Sequence, residues 1–424
     1  MLQISAIRNN PEEIISRLAI KNIDAKATIT ELIEIDAERR KLQNEHDQVL
    51  SHQNTLAKQV GELFRSGKKD EANDLKNKSG ALKEEARILQ EKLHNSEEKL
   101  HKLLITLPNT PSHSVPSGKS SDDNELVYTS VDIPTLLDGS DPHWELASTY
   151  DLIDFELGVK ISGAGFPVYK GQGAKLQRAL ITWFLDMANE AGYLEVQPPL
   201  LINEDSGYGT GQLPDKEGQM YHIGLDNLYL IPTAEVPVTN IFRDQILVAD
   251  DLPAKVTAYS PCFRREAGSY GKDVRGLNRL HQFDKVEIVQ VSHPEQSYKI
   301  LEDMKSYVTN LLEQLQLPYR VLKLCGGDMS FTAALTYDME VWSAAQKKWL
   351  EVSSVSNFET YQSNRLKLRY RDEKGKPQLA HTLNGSALAL PRIVASILEN
   401  NQTSQGITIP EVLVPYTGFD KIVK

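Results

Sequence analysis

The chain has 424 residues, with 58 acidic and 47 basic side chains and a formal net charge of -11. This length predicts two or three domains, and a composition of 40% hydrophobic and 25% charged residues is typical of a water-soluble globular protein. The acidic balance argues against indiscriminate coating of nucleic acid, and no apolar run reaches the roughly 18 residues that a membrane helix needs. The first residues lack the apolar core of a signal peptide.

The chain contains two cysteines, Cys262 and Cys325. Their wide separation fits neither a disulfide framework nor a paired-cysteine zinc site, so we expect two buried thiols and no zinc. Unpaired thiols are typical of a reducing compartment, and we therefore expect a cytoplasmic protein. Because no apolar run is long enough for a membrane helix, we do not expect it to enter a membrane.

Residues 27–107 carry two series of apolar residues at heptad spacing, separated by a break at residues 66–69. The first series is Ile35, Leu42, Val49, Leu56 and Leu63, and the second is Leu75, Leu82 and Leu89, accompanied by Ala72, Ala86, Leu93, Leu100 and Leu107. Two heptad segments joined by a short turn predict an antiparallel α-helical hairpin. Each helix of roughly 38 residues would extend about 57 Å.

The companion seam position of the first helix holds Arg39, His46 and Gln53 between apolar ends. Polar seam residues weaken a pair of helices, so the pattern is compatible with a free-standing arm or with an arm packed against another surface. A dimerisation coiled coil is a third interpretation.

Residues 109–130 are rich in Pro, Ser, Asp and Asn, which predicts a linker between an N-terminal domain (1–108) and a larger domain (131–424). In the larger domain, an amphipathic helix is predicted at 175–193, and a strand running into a helix at 385–400. Strand or strand–loop patterns recur at 195–202, 228–242, 255–263, 285–292, 347–358 and 365–371. Many strands with few helices between them predict an α+β fold with an antiparallel sheet.

Positive charge is concentrated in residues 255–285, where seven Lys or Arg residues accompany three Asp or Glu residues. Two strand-like runs flank a polar loop at 268–278, which predicts a hairpin. Arg264 ends the first run, and its planar guanidinium suits phosphate or carboxylate. Phe283 and Glu287 share one face of the returning strand, which favours a pocket for a nucleotide and an amine. A solvated basic hairpin is the alternative.

These segments together resemble the seryl-tRNA synthetases, in their bacterial form, which are class II aminoacyl-tRNA synthetases. The resemblance covers essentially the whole chain and implies their antiparallel catalytic sheet flanked by helices. The heptad hairpin resembles the tRNA-binding arm of the family. In the larger domain, 175–192 with Pro198 and Pro199 resembles motif 1, 230–238 resembles the serine-recognition loop, and 261–287 resembles motif 2. The segment 351–371 resembles the metal-binding strand with its extension, and 383–400 resembles motif 3.

The resemblance implies that ATP is bound by Arg264, Arg265, Glu266, Phe283, Glu351, Val352, Ser353, Ser354 and Arg392. Arg264 would grip the α-phosphate and Arg392 the γ-phosphate, which makes these two the expected catalytic residues. Glu351 and Ser354 would hold Mg²⁺ on the phosphates, because this cation prefers oxygen ligands.

The same resemblance implies that L-serine is bound by Thr233, Ala234, Glu235, Arg264, Glu287, Asn384 and Ser386. Glu287 would contact the ammonium group, with Glu235 and Ser386 near the remaining polar atoms. A pocket that hydrogen-bonds the serine hydroxyl should reject alanine, because buried polar partners would be left unpaired.

The implied activity is ATP-dependent formation of seryl-adenylate and transfer of the seryl group to the 3′ end of serine tRNA; charging of selenocysteine tRNA stays open. The family implies a homodimer in which the arm of one subunit presents tRNA to the other. A row of alternating basic residues predicts one charged strand face, either solvated or near the tRNA acceptor end: Arg365, Lys367, Arg369 and Arg371.

Three alternatives remain at this level. The chain could be a class II synthetase for another amino acid, or a paralogue that activates an amino acid for a carrier protein. It could also be a non-enzymatic coiled-coil scaffold that carries an inactive nucleotide-binding fold.

Overall fold

The computed structural model describes residues 1–130, 133–134, 136, 140–266 and 275–424, so the loop expected at 268–278 lies largely outside the described residues. Two units make up this part of the chain: Met1–Ala19 with Ile23–Pro108, and Ile20–Asn22 with Asn109–Lys424. Within the same ranges, no helix combines the length and the apolar character that crossing a bilayer requires.

The first unit is built on a helical hairpin. Its helices are α1 (Ile4–Asn9), α2 (Pro11–Ile20), α3 (Lys26–Arg65) and α4 (Lys69–Leu104). Helices α3 and α4 pack along each other, and Gly67 occupies the turn with a φ of 78°, a conformation that glycine adopts without strain. Leu42, Leu89 and Leu93 form an apolar cluster, with Val49 packed against it. The predicted antiparallel hairpin is confirmed.

A buried carboxylate accounts for part of the polar seam. Asp36 has no exposed side-chain surface and forms ion pairs with Arg8 at 2.7 Å and Arg39 at 2.9 Å. Burial opposes its ionisation, but hydrogen bonds from Arg39 and Arg8 hold the pKa of Asp36 below its ordinary value. Arg39 is therefore an ion-pair partner near the start of α3.

The second unit combines one large sheet, four small ones and nine described helices. The helices are α5 (His143–Thr149), α6 (Phe155–Ile161), α7 (Gly171–Glu190), α8 (Glu204–Thr210), α9 (Glu235–Asn240), α10 (Ser297–Gln314), α11 (Thr360–Leu366), α12 (Leu390–Asn400) and α13 (Val414–Thr417). The strands are β1 (Glu125–Thr129), β2 (Ile153–Asp154), β3 (Val168–Tyr169), β4 (Leu194–Glu195), β5 (Leu201–Ile202), β6 (His222–Ile223), β7 (Leu228–Leu230), β8 (Ile246–Leu247), β9 (Ala254–Phe263), β10 (Gln282–Ser292), β11 (Tyr319–Lys323), β12 (Leu335–Ser343), β13 (Lys348–Asn357), β14 (Arg369–Arg371), β15 (Pro377–Leu379), β16 (His381–Ala389), β17 (Gln402–Thr403), β18 (Gly406–Thr408) and β19 (Lys421–Ile422).

The large sheet has eight strands in the order β1-β11-β12-β13-β16-β10-β9-β4. All its pairings are antiparallel except that of β4 with β9. Its core contains side chains of α7, α10 and α12, among them Phe184, Leu301 and Ile393, all with no exposed surface. The predicted α+β class with an antiparallel sheet is confirmed. The predicted strand-to-helix step is β16 followed by α12, with Pro391 in the first helical turn.

The segment 109–130, expected as a linker, belongs to the second unit. The Asn109 side chain is buried and donates to the carbonyls of Thr332 and Phe358, at 2.9 and 2.8 Å. Further along, β1 pairs with β11 as the edge strand of the sheet. The polar composition of residues 109–124 gave no sign of the buried Asn109, and β1, with the sequence Glu-Leu-Val-Tyr-Thr, was grouped with that polar stretch.

Two strand predictions need correction. In segment 228–242, β7 ends at Leu230 and helix α9 begins at Glu235, whose N–H donates to Thr233 Oγ1 at 3.1 Å. In the alternating basic segment, Arg365 lies in α11 and is buried, and only Arg369–Arg371 forms a strand. Lys367 ends the helix at a φ of 53°, which breaks the expected charged face.

Candidate active site

A cavity of about 570 Å³ opens in the second unit where β9, β10, β13, β16 and the start of α12 meet. The strand order brings these elements together, since β10 pairs with β9 on one side and with β16 on the other. Register places Glu287 opposite Ser386, and Asn384 opposite Ser356. Arg264, at the end of the β9–β10 hairpin, and Arg392, in the first turn of α12, line this one cavity.

The cavity gathers most of the residues expected at the site. Those that line it are Thr233, Glu235, Arg264, Glu266, Phe283, Glu287, Glu351, Val352, Ser353, Ser354, Asn384, Ser386 and Arg392. Ala234 has no exposed surface and packs with Val238 in a separate apolar cluster. The Arg265 guanidinium lies 4.9 Å from the ring centroid of Tyr221, and its Nε donates to the Met220 carbonyl at 3.0 Å. The side chains of Ala234 and Arg265 therefore do not contribute to this lining.

Lys285 is a cavity residue that the sequence interpretation missed. Its Nζ lies 2.5 Å from Glu287 Oε2 and donates to Thr233 Oγ1 at 2.7 Å. The Thr233 hydroxyl donates in turn to Glu287 Oε2 at 3.0 Å. All three side chains are nearly inaccessible to solvent, so the two charges rely on each other and on Thr233, and the hydrogen bonds fix their orientation. The alternation of side chains along the strand, which places Phe283 and Glu287 on one face, also places Lys285 on that face. The same alternation could therefore have identified Lys285 from the sequence.

Glu235 is the second carboxylate of this end of the cavity. Its Oε1 accepts a 2.7 Å hydrogen bond from Gln362, whose own oxygen accepts from Thr382 at 2.7 Å. Burial, and next the negative charge of Glu287, raise the pKa of Glu235 to about 7. When both carboxylates are ionised, Lys285 neutralises only one of them. A ligand ammonium group would neutralise the other.

Replacing Glu235 by glutamine should stabilise the ligand-free protein by about 1–3 kcal/mol above pH 7. The pKa of Glu235 is raised in the folded protein. Between about pH 4.5 and 7 the unfolded chain has therefore lost a proton that the folded protein retains. As a result, this carboxyl lowers the free energy of unfolding increasingly as the pH rises. The gain in the free energy of unfolding should be large at pH 8 and smaller at pH 5.5, as urea titrations would measure. Glu411→Gln, at an exposed carboxylate, should change neither value. An unchanged free energy at pH 8 for Glu235→Gln would contradict the buried-charge explanation.

Two guanidinium groups also line the cavity. Arg264 donates from Nε to the Pro232 carbonyl at 3.2 Å, and its guanidinium lies 5.2 Å from the Phe283 ring centroid. Arg392 donates from Nε to the Asn278 carbonyl at 3.2 Å and from Nη1 to the Glu351 carbonyl at 2.5 Å. These contacts fix the orientation of both groups. Among the described residues, the Nη groups of Arg264 have no hydrogen-bond partner, so they can bind an anion.

Oxygen donors suited to a hard cation lie beside Arg392. Glu351 and Ser354 line the cavity, and Asp338 on the neighbouring strand is paired in register with Ser354. Burial, followed by the charge of Glu351, raises the pKa of Asp338 well above its ordinary value, and its Oδ1 has no partner in the described part of the chain. The same part contains no cluster of three or more His, Cys, Asp or Glu suited to a metal. A Mg²⁺ ion here would therefore share its coordination with ligand oxygens, which fits the habits of this cation.

Further lining residues were not assigned to the site from the sequence. They are Gln212, Glu217, Gln219, Leu277, Asn278, Arg279, Leu280, Ser330, Thr332, Ser356 and Phe358, in addition to Lys285. Five of them lie outside the segments that resemble family motifs, so tertiary packing alone brings them to the cavity: Gln212, Glu217, Gln219, Ser330 and Thr332.

Two family models match the chain. The model described as the seryl-tRNA synthetase N-terminal domain matches residues 1–111. The model described as the tRNA synthetase class II core domain (G, H, P, S and T) matches residues 221–401, a range that contains nearly the whole cavity lining.

Curated relatives align over the full chain. A serine–tRNA ligase of Salinibacter ruber is 53% identical over 424 residues, covering 100% of this chain and 99% of the relative. A serine–tRNA ligase of Chlorobium phaeovibrioides is 47% identical over 427 residues, again covering 100% of this chain and 99% of the relative.

Solved structures are similar as well. The seryl-tRNA synthetase of Pyrococcus horikoshii, crystallised with ATP, has a TM-score of 0.92 and 33% identity, and the match covers 100% of this chain and 99% of that one. A Giardia lamblia prolyl-tRNA synthetase bound to prolyl-adenylate has a TM-score of 0.57 at 16% identity, covering 65% and 57% of the two chains. The second likeness concerns the fold alone.

Proposed function

Because the chain belongs to the seryl-tRNA synthetase family, we propose that it activates L-serine with ATP and transfers the seryl group to the 3′ end of serine tRNA. The observation that carries this proposal is that a single cavity is lined by Arg264 and Arg392 and also by Glu235 and Glu287. The guanidinium groups suit a triphosphate, and the carboxylates suit an amino acid ammonium group. The close relatives do not favour a scaffold or an enzyme for another amino acid.

In the first step, a serine carboxylate oxygen attacks the α-phosphorus of ATP. A new O–P bond forms, the bond to the bridging oxygen breaks, and pyrophosphate leaves. We assign Arg264 to the α-phosphate, where it stabilises the charge that develops during attack, and Arg392 to the leaving phosphates. Glu266 and Phe283 are assigned to the adenine base. Bound Mg²⁺, held by Glu351 and Ser354, would neutralise phosphate charge.

In the second step, a terminal ribose hydroxyl of tRNA attacks the activated carbonyl carbon and AMP leaves. Neither step needs a covalent bond to the protein. Orientation of the two substrates and preorganised charge are therefore the main catalytic contributions.

Serine selection is assigned to the buried network of Thr233, Lys285 and Glu287, together with Glu235, Asn384 and Ser386. Lys285 leaves one carboxylate of the pair available to a ligand ammonium group. Hydroxyl and amide groups at the same end can bond the serine hydroxyl, and an analogue without it would leave them unsatisfied. The Asn384 side-chain amide lies beside Glu235 and partly offsets the burial that raises the pKa of that carboxyl, which supports the assignment of Asn384 to the same part of the cavity.

Replacing Glu287 by glutamine should raise the KM for serine by about a hundredfold, since a charge-assisted bond to the ammonium group is lost. The KM for ATP should stay within about twofold, and serine-dependent ATP–pyrophosphate exchange measures both constants. Glu266→Gln is the matched control, with the opposite pattern expected. Unchanged serine dependence in Glu287→Gln would remove this residue from the pocket, and exchange driven best by another amino acid would overturn the proposed substrate.

We also assign the α3–α4 hairpin to tRNA binding. A homodimer through the segment following α7 is proposed because Leu194, Leu200 and Leu201 expose 66%, 37% and 40% of their surface there, and such apolar exposure is typical of subunit interfaces. A cytoplasmic location agrees with the two free, buried thiols.

A further inference from the structure

A buried histidine–glutamate pair lies behind one wall of the cavity, and the catalytic assignment above does not use it. His143 is the first residue of α5, and Glu399 is in the last turn of α12. Neither side chain has any exposed surface, and His143 Nδ1 lies 2.7 Å from Glu399 Oε1. A carboxylate buried this deeply is unfavourable unless its oxygens have hydrogen-bond partners.

The partners of Glu399 set the orientation of the imidazole ring. Glu399 Oε1 also accepts from the His143 backbone N–H at 3.0 Å, and Oε2 accepts from the Ser343 hydroxyl. Since Nδ1 faces a carboxylate, it carries the proton, which leaves Nε2 as an acceptor in the neutral ring. The backbone N–H of Leu277 donates to that Nε2 at 2.8 Å.

A second connection runs from the same carboxylate to the next residue of the wall. Glu399 Oε1 accepts from Gln346 Nε2 at 3.1 Å, and Gln346 Oε1 accepts from the Asn278 side chain at 2.9 Å. The Asn278 carbonyl in turn accepts from Arg392 Nε at 3.2 Å. Residues Leu277, Asn278 and Arg279 all line the cavity, so one buried carboxylate anchors a stretch of its wall.

The preceding residues fit this anchoring. A Cβ atom on Gly276, which has a φ of 65°, would lie 2.2 Å from His143 Nε2, so the backbone approaches the ring as closely as only glycine allows. Arg275 pairs with Glu145 at 3.0 Å and stacks 4.8 Å from the Trp144 ring centroid, on the same helix α5. The start of α5 thus contacts three consecutive residues, Arg275, Gly276 and Leu277, the last of which lines the cavity.

We propose that His143 and Glu399 are positioning residues for ATP: they hold the backbone of Leu277–Arg279 and, through the Asn278 carbonyl, the guanidinium of Arg392. This inference rests on the proposed function, because it concerns how the ATP end of the cavity is shaped. A pair that serves only the stability of the core would affect how much protein folds and leave the affinity of the folded site unchanged.

Two substitutions of His143 separate its two hydrogen bonds. Asparagine places an amide near the position of Nδ1, which preserves the contact with Glu399 and removes the acceptor for Leu277. Glutamine places an amide oxygen near the position of Nε2, which preserves that acceptor and weakens the contact with Glu399. His143→Asn should therefore raise the KM for ATP in serine-dependent pyrophosphate exchange by about tenfold, with the KM for serine within about twofold. His143→Gln should restore most of the affinity for ATP.

Controls distinguish positioning from stability. Tyr193→Phe removes a buried 2.7 Å hydrogen bond to Gln290 away from the cavity, and should lower the melting temperature without changing the KM for ATP. If the His143 variants do not fold, Gln346→Ala removes only the connection to Asn278 and should raise the KM for ATP about threefold. Equal KM values for ATP in His143→Asn and wild type, or equal rises in the Asn and Gln variants, would overturn the inference. Absence of serine-dependent exchange in the wild type would instead overturn the proposed function.

Discussion

Replacing Arg264 by alanine should lower kcat/KM for serine-dependent ATP–pyrophosphate exchange by about a thousandfold, because it removes a preoriented cation from the centre where charge develops. The Pro232 carbonyl holds Nε, and the neighbouring Phe283 ring limits rotation of the guanidinium. Arg264→Lys should recover little of this activity, since an ammonium group cannot keep the Pro232 contact and present two parallel donors as well.

Arg265 provides a matched control one residue away. Its side chain has the same charge and size, but its guanidinium packs on Tyr221 and its Nε is bound to the Met220 carbonyl. Arg265→Ala should keep exchange within about fivefold of wild type. Circular dichroism should show that both variants are folded. A loss of less than tenfold for Arg264→Ala, or equal losses at both arginines, would contradict the assignment of Arg264 to the α-phosphate.

Shortening the arm should separate the two steps of the reaction. Deleting residues 47–86 and joining the ends with a short Gly-Ser turn keeps the apolar cluster of Leu42, Leu89 and Leu93 and the ion pairs of Asp36. Exchange should stay within about twofold, because no residue of the arm lines the cavity as described. Charging of serine tRNA should fall at least about a hundredfold, since contacts with the RNA backbone supply much of the affinity of such complexes.

The comparison requires both assays on the same preparation. Pyrophosphate exchange needs no tRNA, whereas charging with labelled serine does. Equal loss of the two activities would mean that the deletion damages the catalytic unit. Full retention of charging would mean that tRNA binds elsewhere. Either result would contradict a role for the arm that is confined to tRNA.

Regular periodicity made the arm and the step from β16 into α12 predictable. Heptad spacing and a glycine-containing break are local signals, and they located the turn at Gly67. The strand predicted over 228–242 was wrong for a local reason. Its Val and Thr residues favour a strand, but the Thr233 hydroxyl accepts the N–H of Glu235 at the start of α9, and tertiary packing then buries Val236 and Val238.

Apart from the family resemblance, cavity residues were predictable only where alternation along a strand carries the information. Phe283 and Glu287 follow from a period of two along β10, and Lys285 follows from the same rule although the sequence interpretation overlooked it. Arg264 and Arg265 are identical residues, and only their different contacts, with Pro232 and Phe283 for the first and with Met220 and Tyr221 for the second, distinguish them. Contacts such as that of His143 with Leu277 join residues 134 positions apart, so they depend on the packing of α5 and α12 and leave no pattern in the sequence.

A crystal structure of the protein with a non-hydrolysable seryl-adenylate analogue tests the central claim most directly. We predict that the adenine stacks on Phe283, that the phosphate mimic contacts Arg264, and that the serine ammonium group lies about 3 Å from Glu287 or Glu235. The wall at Leu277–Arg279 should border the base. An analogue bound outside this cavity, or one whose ammonium group faces the arginines instead of the carboxylates, would contradict the account.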